Sequence, residues 1–163
     1  MADKKHRIIQ NKIIKNNQKL SSVDVLSEFC FNNYGLRGYC DVVVRQPKTK
    51  FFPIESVRVI EIKTNAADFG EGIRQLNNAE LYFKQREGYK FVIKDFVISK
   101  NFFPEIIESI ELFSASKIRV IFYDFPEEVF GYILDTRCSD VAEHIVAIQT
   151  AHMKSIWGNY NNG

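Results

Sequence analysis

The sequence predicts an α/β protein with a mixed central sheet flanked by helices, and three observations lead to this fold class. Two segments rich in β-branched residues, Tyr39–Arg45 and Val57–Lys63, predict strands that the loop 46–56 would join as an antiparallel hairpin. An apolar stripe at helical spacing predicts a helix over Phe69–Arg86. A further strand at Phe91–Ser99 completes a strand–helix–strand unit, which favours a right-handed parallel crossover.

The segments on either side add more helices and strands. Isoleucines at helical spacing predict an amphipathic helix over residues 6–19. Ser21 and Asp24 fit a capping box that would open a second helix, Ser22–Phe31, with Gly35 just past its end. The C-terminal part predicts a short helix at Pro104–Phe113, strands at Lys117–Phe122 and Val129–Leu134, and a final helix at Ser139–Trp157.

Length and composition indicate one globular domain. The chain has 163 residues, of which 45% are hydrophobic and 26% charged. We divide it into a basic arm or helix (residues 1–20), one domain (21–157) and a loose tail (158–163). No apolar segment approaches the roughly 20 residues of a membrane span, and the N-terminus lacks an apolar signal core.

The cysteines point to a reducing compartment. The chain has three, Cys30, Cys40 and Cys138, an odd and scattered set without a CxxC pair. This pattern predicts reduced thiols in an intracellular protein, cytoplasmic or associated with the nucleoid. It argues against a zinc or iron–sulfur site.

Charge is concentrated at the N-terminus. The whole chain carries a formal charge of +2, yet the first twenty residues hold six basic side chains against one acid, Asp3. The six are Lys4, Lys5, Arg7, Lys12, Lys15 and Lys19. Such a segment suggests a polyanionic partner such as DNA, although a solvated helix face or a frayed terminus would look the same.

The two central strands carry acidic residues in apolar surroundings. Side chains alternate along a strand, so Val59, Glu61 and Lys63 share one face. Asp41 lies in the apolar segment YCDVVV of the preceding strand. If Asp41 pairs opposite Glu61, two carboxylates and a lysine converge.

Such a trio suits phosphate chemistry. Buried charges are costly unless they are paired or bind a metal, and two carboxylates are the hard oxygen ligands that Mg²⁺ prefers. A neighbouring lysine could stabilise developing negative charge, orient the attacking water or act as a base. The alternative is an ordinary ion pair of Lys63 with Asp41 or Glu61 at a strand end.

The order of these elements resembles the PD-(D/E)xK nuclease superfamily over about Ser21–Phe122. The resemblance rests on the helix with Glu28, the strand with Asp41, the strand with Glu61-Ile62-Lys63 and the helix with Gln75. The segment EIKTNAADFGEGIRQLNNAELYF is similar to RecB-like and related repair nucleases. The chain departs from the family pattern at Cys40, where a proline often precedes the acid, and it lacks the four cysteines of the iron–sulfur branch.

The resemblance implies a restriction-endonuclease-like αβββαβ core and a set of roles. Asp41, Glu61 and the main-chain carbonyl of Ile62 would bind Mg²⁺, for which Mn²⁺ would substitute. Lys63 would stabilise the transition state, Gln75 would face the active site, and Glu28 would be the acid that some members carry on the first helix.

The function implied is a Mg²⁺-dependent deoxyribonuclease in repair, recombination or a mobile-element or defence context. Two alternatives stay open. One is a non-cleaving nucleic-acid-binding protein of the same fold. The other is a Holliday-junction resolvase, which would act as a homodimer.

Overall fold

Five strands form one mixed sheet in the part of the chain that the computed structural model describes, residues 4–19, 23–48, 55–65 and 69–124. They are β1 (Asp24–Asn33), β2 (Leu36–Gln46), β3 (Ser56–Ile62), β4 (Phe91–Ile98) and β5 (Ile118–Phe122). The spatial order follows the chain order. The pairs β1–β2 and β2–β3 are antiparallel, whereas β3–β4 and β4–β5 are parallel. The predicted fold class, a mixed sheet flanked by helices, is confirmed.

Helices cover both faces of the sheet. They are α1 (Lys4–Gln18), α2 (Phe69–Gln85), α3 (Phe103–Glu108) and α4 (Ile110–Ala115), and a short 3-10 turn covers Lys100–Phe102. One core lies between α1 and the sheet, and the other lies between the sheet and the face covered by α2 and α4. No helix in the described residues is long and apolar enough to cross a bilayer.

The basic N-terminal segment is a packed helix. Ile9 and Ile13 of α1 are buried against Val42, Val44 and Ile60 of the sheet. Burial of two isoleucines stabilises this contact by roughly 3–6 kcal/mol. Of the two interpretations, a free arm or a helix, the structure shows the helix.

Helix α2 forms the crossover between the parallel strands β3 and β4. Its buried side chains Leu76, Ala79 and Phe83 follow the predicted apolar stripe and pack on the face that contains Val59 and Phe96. Alternation along β3 explains this division, since Val59 belongs to the α2 side and Ile60 to the α1 side. The parallel pairing predicted for this unit is confirmed.

The helix predicted over Ser22–Phe31 is wrong, because its described part from Asp24 onward lies in strand β1. Pairing with β2 and packing of Phe29 and Phe31 onto the aromatic side chains of α2 outweigh the local capping signal. Gly35 does not end a helix but occupies the two-residue hairpin turn with Tyr34. Both residues have positive φ, +93° and +54°, as a type I′ turn requires.

The other segments agree with the sequence within one to three residues, apart from the region around Pro104. Instead of one helix over Pro104–Phe113, the chain forms α3 and α4, which meet at Ser109. Cys30 is exposed, Cys40 is buried, and both are free thiols. The strand Val129–Leu134, the helix Ser139–Trp157 and the tail 158–163 lie outside the described residues.

Candidate active site

Asp41 and Glu61 lie side by side where the β2–β3 ladder ends. Val42 pairs with Ile60, so the next positions along the two antiparallel strands are Asp41 and Glu61. The Ile62 amide donates a hydrogen bond of 2.7 Å to Asp41 Oδ2. The structure therefore brings together the two acids that the sequence placed on neighbouring strands.

Both carboxyl groups are buried and near enough to share a hydrogen bond. Asp41 is 2% exposed and Glu61 is 7% exposed. Burial, and then the negative charge of Asp41, raises the pKa of Glu61 to about 9. Burial also raises the pKa of Asp41, although the Ile62 amide and His6 oppose the shift. The pair therefore keeps a proton to a higher pH than an isolated carboxyl group does.

Lys63 follows β3 directly and points its ammonium at this pair. Its Nζ lies 3.8 Å from Glu61 Oε1, and its side chain is partly exposed. Gly72 of α2 leaves room mainly for Phe96 and also for this lysine, because a Cβ there would lie 2.5 Å from a ring carbon of Phe96 and 3.3 Å from Lys63 Cε. The glycine thus lets α2 lie directly against Phe96 and close to Lys63.

Gln75 reaches the strand that carries Asp41. Its Oε1 accepts a bond of 3.4 Å from the Tyr39 amide, and its Nε2 donates to Glu71 Oε1 at 3.2 Å. Arg74 in turn holds Glu71 through its Nε at 3.0 Å. The Gln75 amide is therefore fixed between α2 and β2, two residues before Asp41.

Glu28 is not on a helix, and this part of the sequence prediction is wrong. It lies on β1 with a φ of +53°, and its side chain is exposed. The neighbouring pairs Ser27–Val42 and Phe29–Cys40 place it across from Asp41. Its charge acts on Tyr39, whose pKa is raised to about 12 by burial, then by Asp41 and then by Glu28.

Two side chains of α1 that the sequence analysis did not select also contact Asp41. His6 Nε2 lies 3.2 Å from Asp41 Oδ1, and Gln10 Nε2 donates to the Asp41 main-chain oxygen at 2.9 Å. Both lie on the inward face of α1, since positions 6, 10, 13 and 17 follow helical spacing. They could have been selected from the sequence, because they lie at the same helical spacing as the isoleucines of the predicted stripe.

The six basic residues named from the sequence are all exposed. They are Lys4, Lys5, Arg7, Lys12, Lys15 and Lys19. Lys5 also lies over the ring of Tyr123, 5.6 Å from its centroid. Helix α1 thus presents cations to solvent and polar side chains to Asp41.

The carboxylate pair fits a hard divalent cation. Asp41 and Glu61 supply carboxylate oxygens, and the Ile62 carbonyl lies between Glu61 and Lys63 in the chain. Among the described residues, no group of three or more His, Cys, Asp and Glu side chains could hold a metal. Mg²⁺ does not need a full protein cage, because it keeps several waters and binds through one or two carboxylates.

Comparison with known proteins yields little. No family model matches the chain, and no curated protein matches its sequence. Among solved structures, the fold is similar to the crystal structure of AF1548, a protein of unknown function, with a TM-score of 0.45 and 11% sequence identity. The match covers 74% of this chain and 60% of that chain, so this chain spans less than two thirds of that protein.

Proposed function

We propose that this chain is a Mg²⁺-dependent nuclease that hydrolyses DNA phosphodiester bonds on a restriction-endonuclease-like core. The order of α1, β1, β2, β3, α2 and β4 supports the αβββαβ arrangement. In this arrangement α1 is the first helix of the core, the role that the sequence analysis assigned to Ser22–Phe31. The strands that meet at the centre, β2 and β3, carry the acids.

The observation that carries the proposal is the buried carboxyl pair. Asp41 and Glu61 face each other at 2% and 7% exposure, with Lys63 Nζ at 3.8 Å from Glu61. Two like charges so placed destabilise each other, and one lysine beside them does not prevent the rise of the Glu61 pKa to about 9. A divalent cation would balance both carboxylates.

Each residue then has a defined task. Asp41, Glu61 and the Ile62 carbonyl would hold Mg²⁺, or Mn²⁺ in its place. When bound, the ion supplies Lewis-acid polarisation of a phosphoryl oxygen and a more acidic water. The Lys63 ammonium stabilises negative charge that develops on the phosphate oxygens. Gln75, fixed between Glu71 and the Tyr39 amide, positions the phosphate or the attacking water.

The exposed cations of α1 support DNA as the polyanion. This helix contacts Asp41 through its inner side, and its basic side chains lie on the exposed side of the same helix. Lysines and arginines along a helix neutralise backbone phosphates without reading sequence.

A cleavage assay tests the proposal. Linear duplex, single strands and four-way junctions are incubated with the wild type and with Asp41→Asn, in Mg²⁺, in Mn²⁺ and in EDTA. We expect cleavage by the wild type that needs the ion and is absent in Asp41→Asn. Equal binding by both proteins without any cleavage would make the chain a nucleic-acid-binding protein instead. If the protein is a dimer and cleaves only four-way junctions, it is a Holliday-junction resolvase.

A further inference from the structure

Asp41 is skipped by both strand ladders of β2. In the β1–β2 register, Cys40 pairs with Phe29 and Val42 with Ser27, and in the β2–β3 register the pairing starts at Val42. The main-chain oxygen of Asp41 accepts its hydrogen bond from Gln10 of α1, at 2.9 Å and across 31 residues of sequence. Gln10 itself is only 5% exposed.

We propose that Gln10 is a positioning residue for Asp41. Its amide donates to the Asp41 main-chain oxygen at the one position of β2 between Cys40 and Val42 that neither register pairs. The carboxyl group is then fixed by the Ile62 amide at Oδ2 and approached by His6 at Oδ1. The effect on cleavage rests on the proposed function, whereas the effect on the geometry of Asp41 does not.

The buried neighbours of Gln10 hold its side chain in place at Asp41. It is adjacent in sequence to the buried Ile9 and one turn before the buried Ile13, so the helix cannot rotate away without exposing both. A buried carbonyl that loses its donor is destabilised, which favours a shift of the Asp41 peptide. A displacement of about 1 Å at a reacting group can lower a rate roughly 10²-fold.

The test compares Gln10→Met with Gln18→Met. Methionine keeps the length and volume of glutamine but lacks the donor, and Gln18 is an exposed position of the same helix. The first measurement is hydrogen exchange of the Ile62 amide, which reports its bond to Asp41 Oδ2. The Val59 amide in the same strand serves as the internal reference. The second measurement is the kcat and KM of DNA cleavage in Mg²⁺.

We expect Gln10→Met to speed exchange at Ile62 relative to Val59 and to lower kcat about 10- to 100-fold with KM unchanged. Gln18→Met should match the wild type in both. Exchange that rises equally over the whole strand, or an unchanged kcat in a wild type that cleaves, would overturn the positioning role. If the wild type does not cleave DNA but Gln10→Met still speeds exchange at Ile62 alone, the positioning role is supported. The proposed nuclease activity is then contradicted. If Gln10→Met does not fold, Gln10→Asn, which keeps the amide on a shorter side chain, is compared in the same way.

Discussion

Two clusters of buried charge lie in the same sheet and differ in how their charges are balanced. In the first, Asp95 of β4 is fully buried between Arg58 of β3 and Arg119 of β5. Arg58 Nη2 lies 3.1 Å from Asp95 Oδ2, and Arg119 reaches both carboxylate oxygens, with its Nη2 at 2.7 Å from Oδ2. Guanidinium groups stay charged at any relevant pH, so the acid is compensated inside the fold.

The second cluster has the opposite composition. Asp41 and Glu61 place two acids together, and Lys63 contributes a cation at 3.8 Å from Glu61. The excess acid raises the pKa of Glu61 to about 9. The first cluster thus has more basic than acidic side chains around its acid, whereas the second has an excess of acid, which a cation would balance under the proposed function. A buried acid alone therefore does not distinguish the two clusters; the charges opposite it on the adjacent strands do.

Removing one acid from each cluster gives the largest contrast. Asp41→Asn should abolish cleavage with the fold retained, because it removes a metal ligand and relieves like-charge repulsion. Asp95→Asn should cost about 3–5 kcal/mol of stability, since two buried arginines lose their counter-charge. The rate per folded molecule should stay at the wild-type value in Asp95→Asn. Urea unfolding and single-turnover cleavage measure both effects, and full cleavage by Asp41→Asn would refute the site.

Two lysines, Lys63 beside the carboxyl pair and Lys94 elsewhere in the sheet, allow the same comparison with a smaller expected effect. Lys63→Met should lower the cleavage rate about 10²–10³-fold, as removal of one transition-state donor does elsewhere. Metal affinity, followed by calorimetry, should change little, because the ammonium is not a ligand. The control is Lys94→Met. Lys94 is buried and bonds Glu80 at 3.0 Å and Asn77 at 2.9 Å, so its loss should lower stability alone. If Lys63→Met instead unfolds the protein and leaves the rate per folded molecule intact, Lys63 is a structural ion pair.

Sequence periodicity predicts most of the fold because most elements show their burial pattern locally. The alternation in Val57–Lys63 and the stripe of α2 are visible without any partner. The juxtaposition of Asp41 and Glu61 needs the register of β2 with β3 as well, which the loop between Gln46 and Ser56 does not fix. The pattern within β1 does not predict a strand, because the aromatic side chains of α2 on which it packs are distant in sequence, although its pairing partner β2 follows directly after the hairpin turn.

The arginine cluster and the α1 contacts could not be predicted for a similar reason. Asp95 in VIKDFVI and Asp41 in YCDVVV look alike as acids in apolar strands. Only the registers, which place Arg119 beside Asp95 and skip Asp41, separate them. Gln10 and His6 are ordinary polar residues until α1 docks on the sheet.

The pH dependence of stability should separate the clusters further. Folded Glu61 keeps its proton up to about pH 9, whereas in the unfolded chain it loses the proton near 4.5. Between these values the folded state binds more protons, so its stability falls as pH rises, by up to about 1.4 kcal/mol per pH unit from this group. Glu61→Gln removes this contribution and should flatten the curve measured without metal.

Added Mg²⁺ sharpens that measurement. The ion competes with the proton on the carboxyl pair, so its stabilisation of the wild type should grow from pH 6 to pH 9. Glu61→Gln should show a weaker response. Identical melting curves for both proteins across this range, with and without Mg²⁺, would contradict both the raised pKa of Glu61 and its role as a metal ligand.

The smallest expected effect concerns the outer face of α1, which lies beyond both clusters. Lys12→Gln with Lys15→Gln removes two exposed cations and leaves Ile9, Ile13 and Gln10 in place. Each phosphate contact contributes a slope of about −0.9 to log K against log salt on duplex DNA, so the double variant should flatten the slope by about 1.8 units. Its melting temperature should stay unchanged, because exposed charges contribute little stability.

Deletion of residues 1–19 would not test the same point, since it also uncovers the apolar core under α1 and removes the Gln10 donor. The matched control is Lys90→Gln with Lys100→Gln, two exposed lysines outside α1. We expect this control to keep the wild-type slope and both double variants to retain kcat at saturating DNA. If both double variants lose the same amount of salt slope, any exposed cation contributes to DNA binding. If the α1 variant keeps the wild-type slope, the DNA backbone binds another face of the protein.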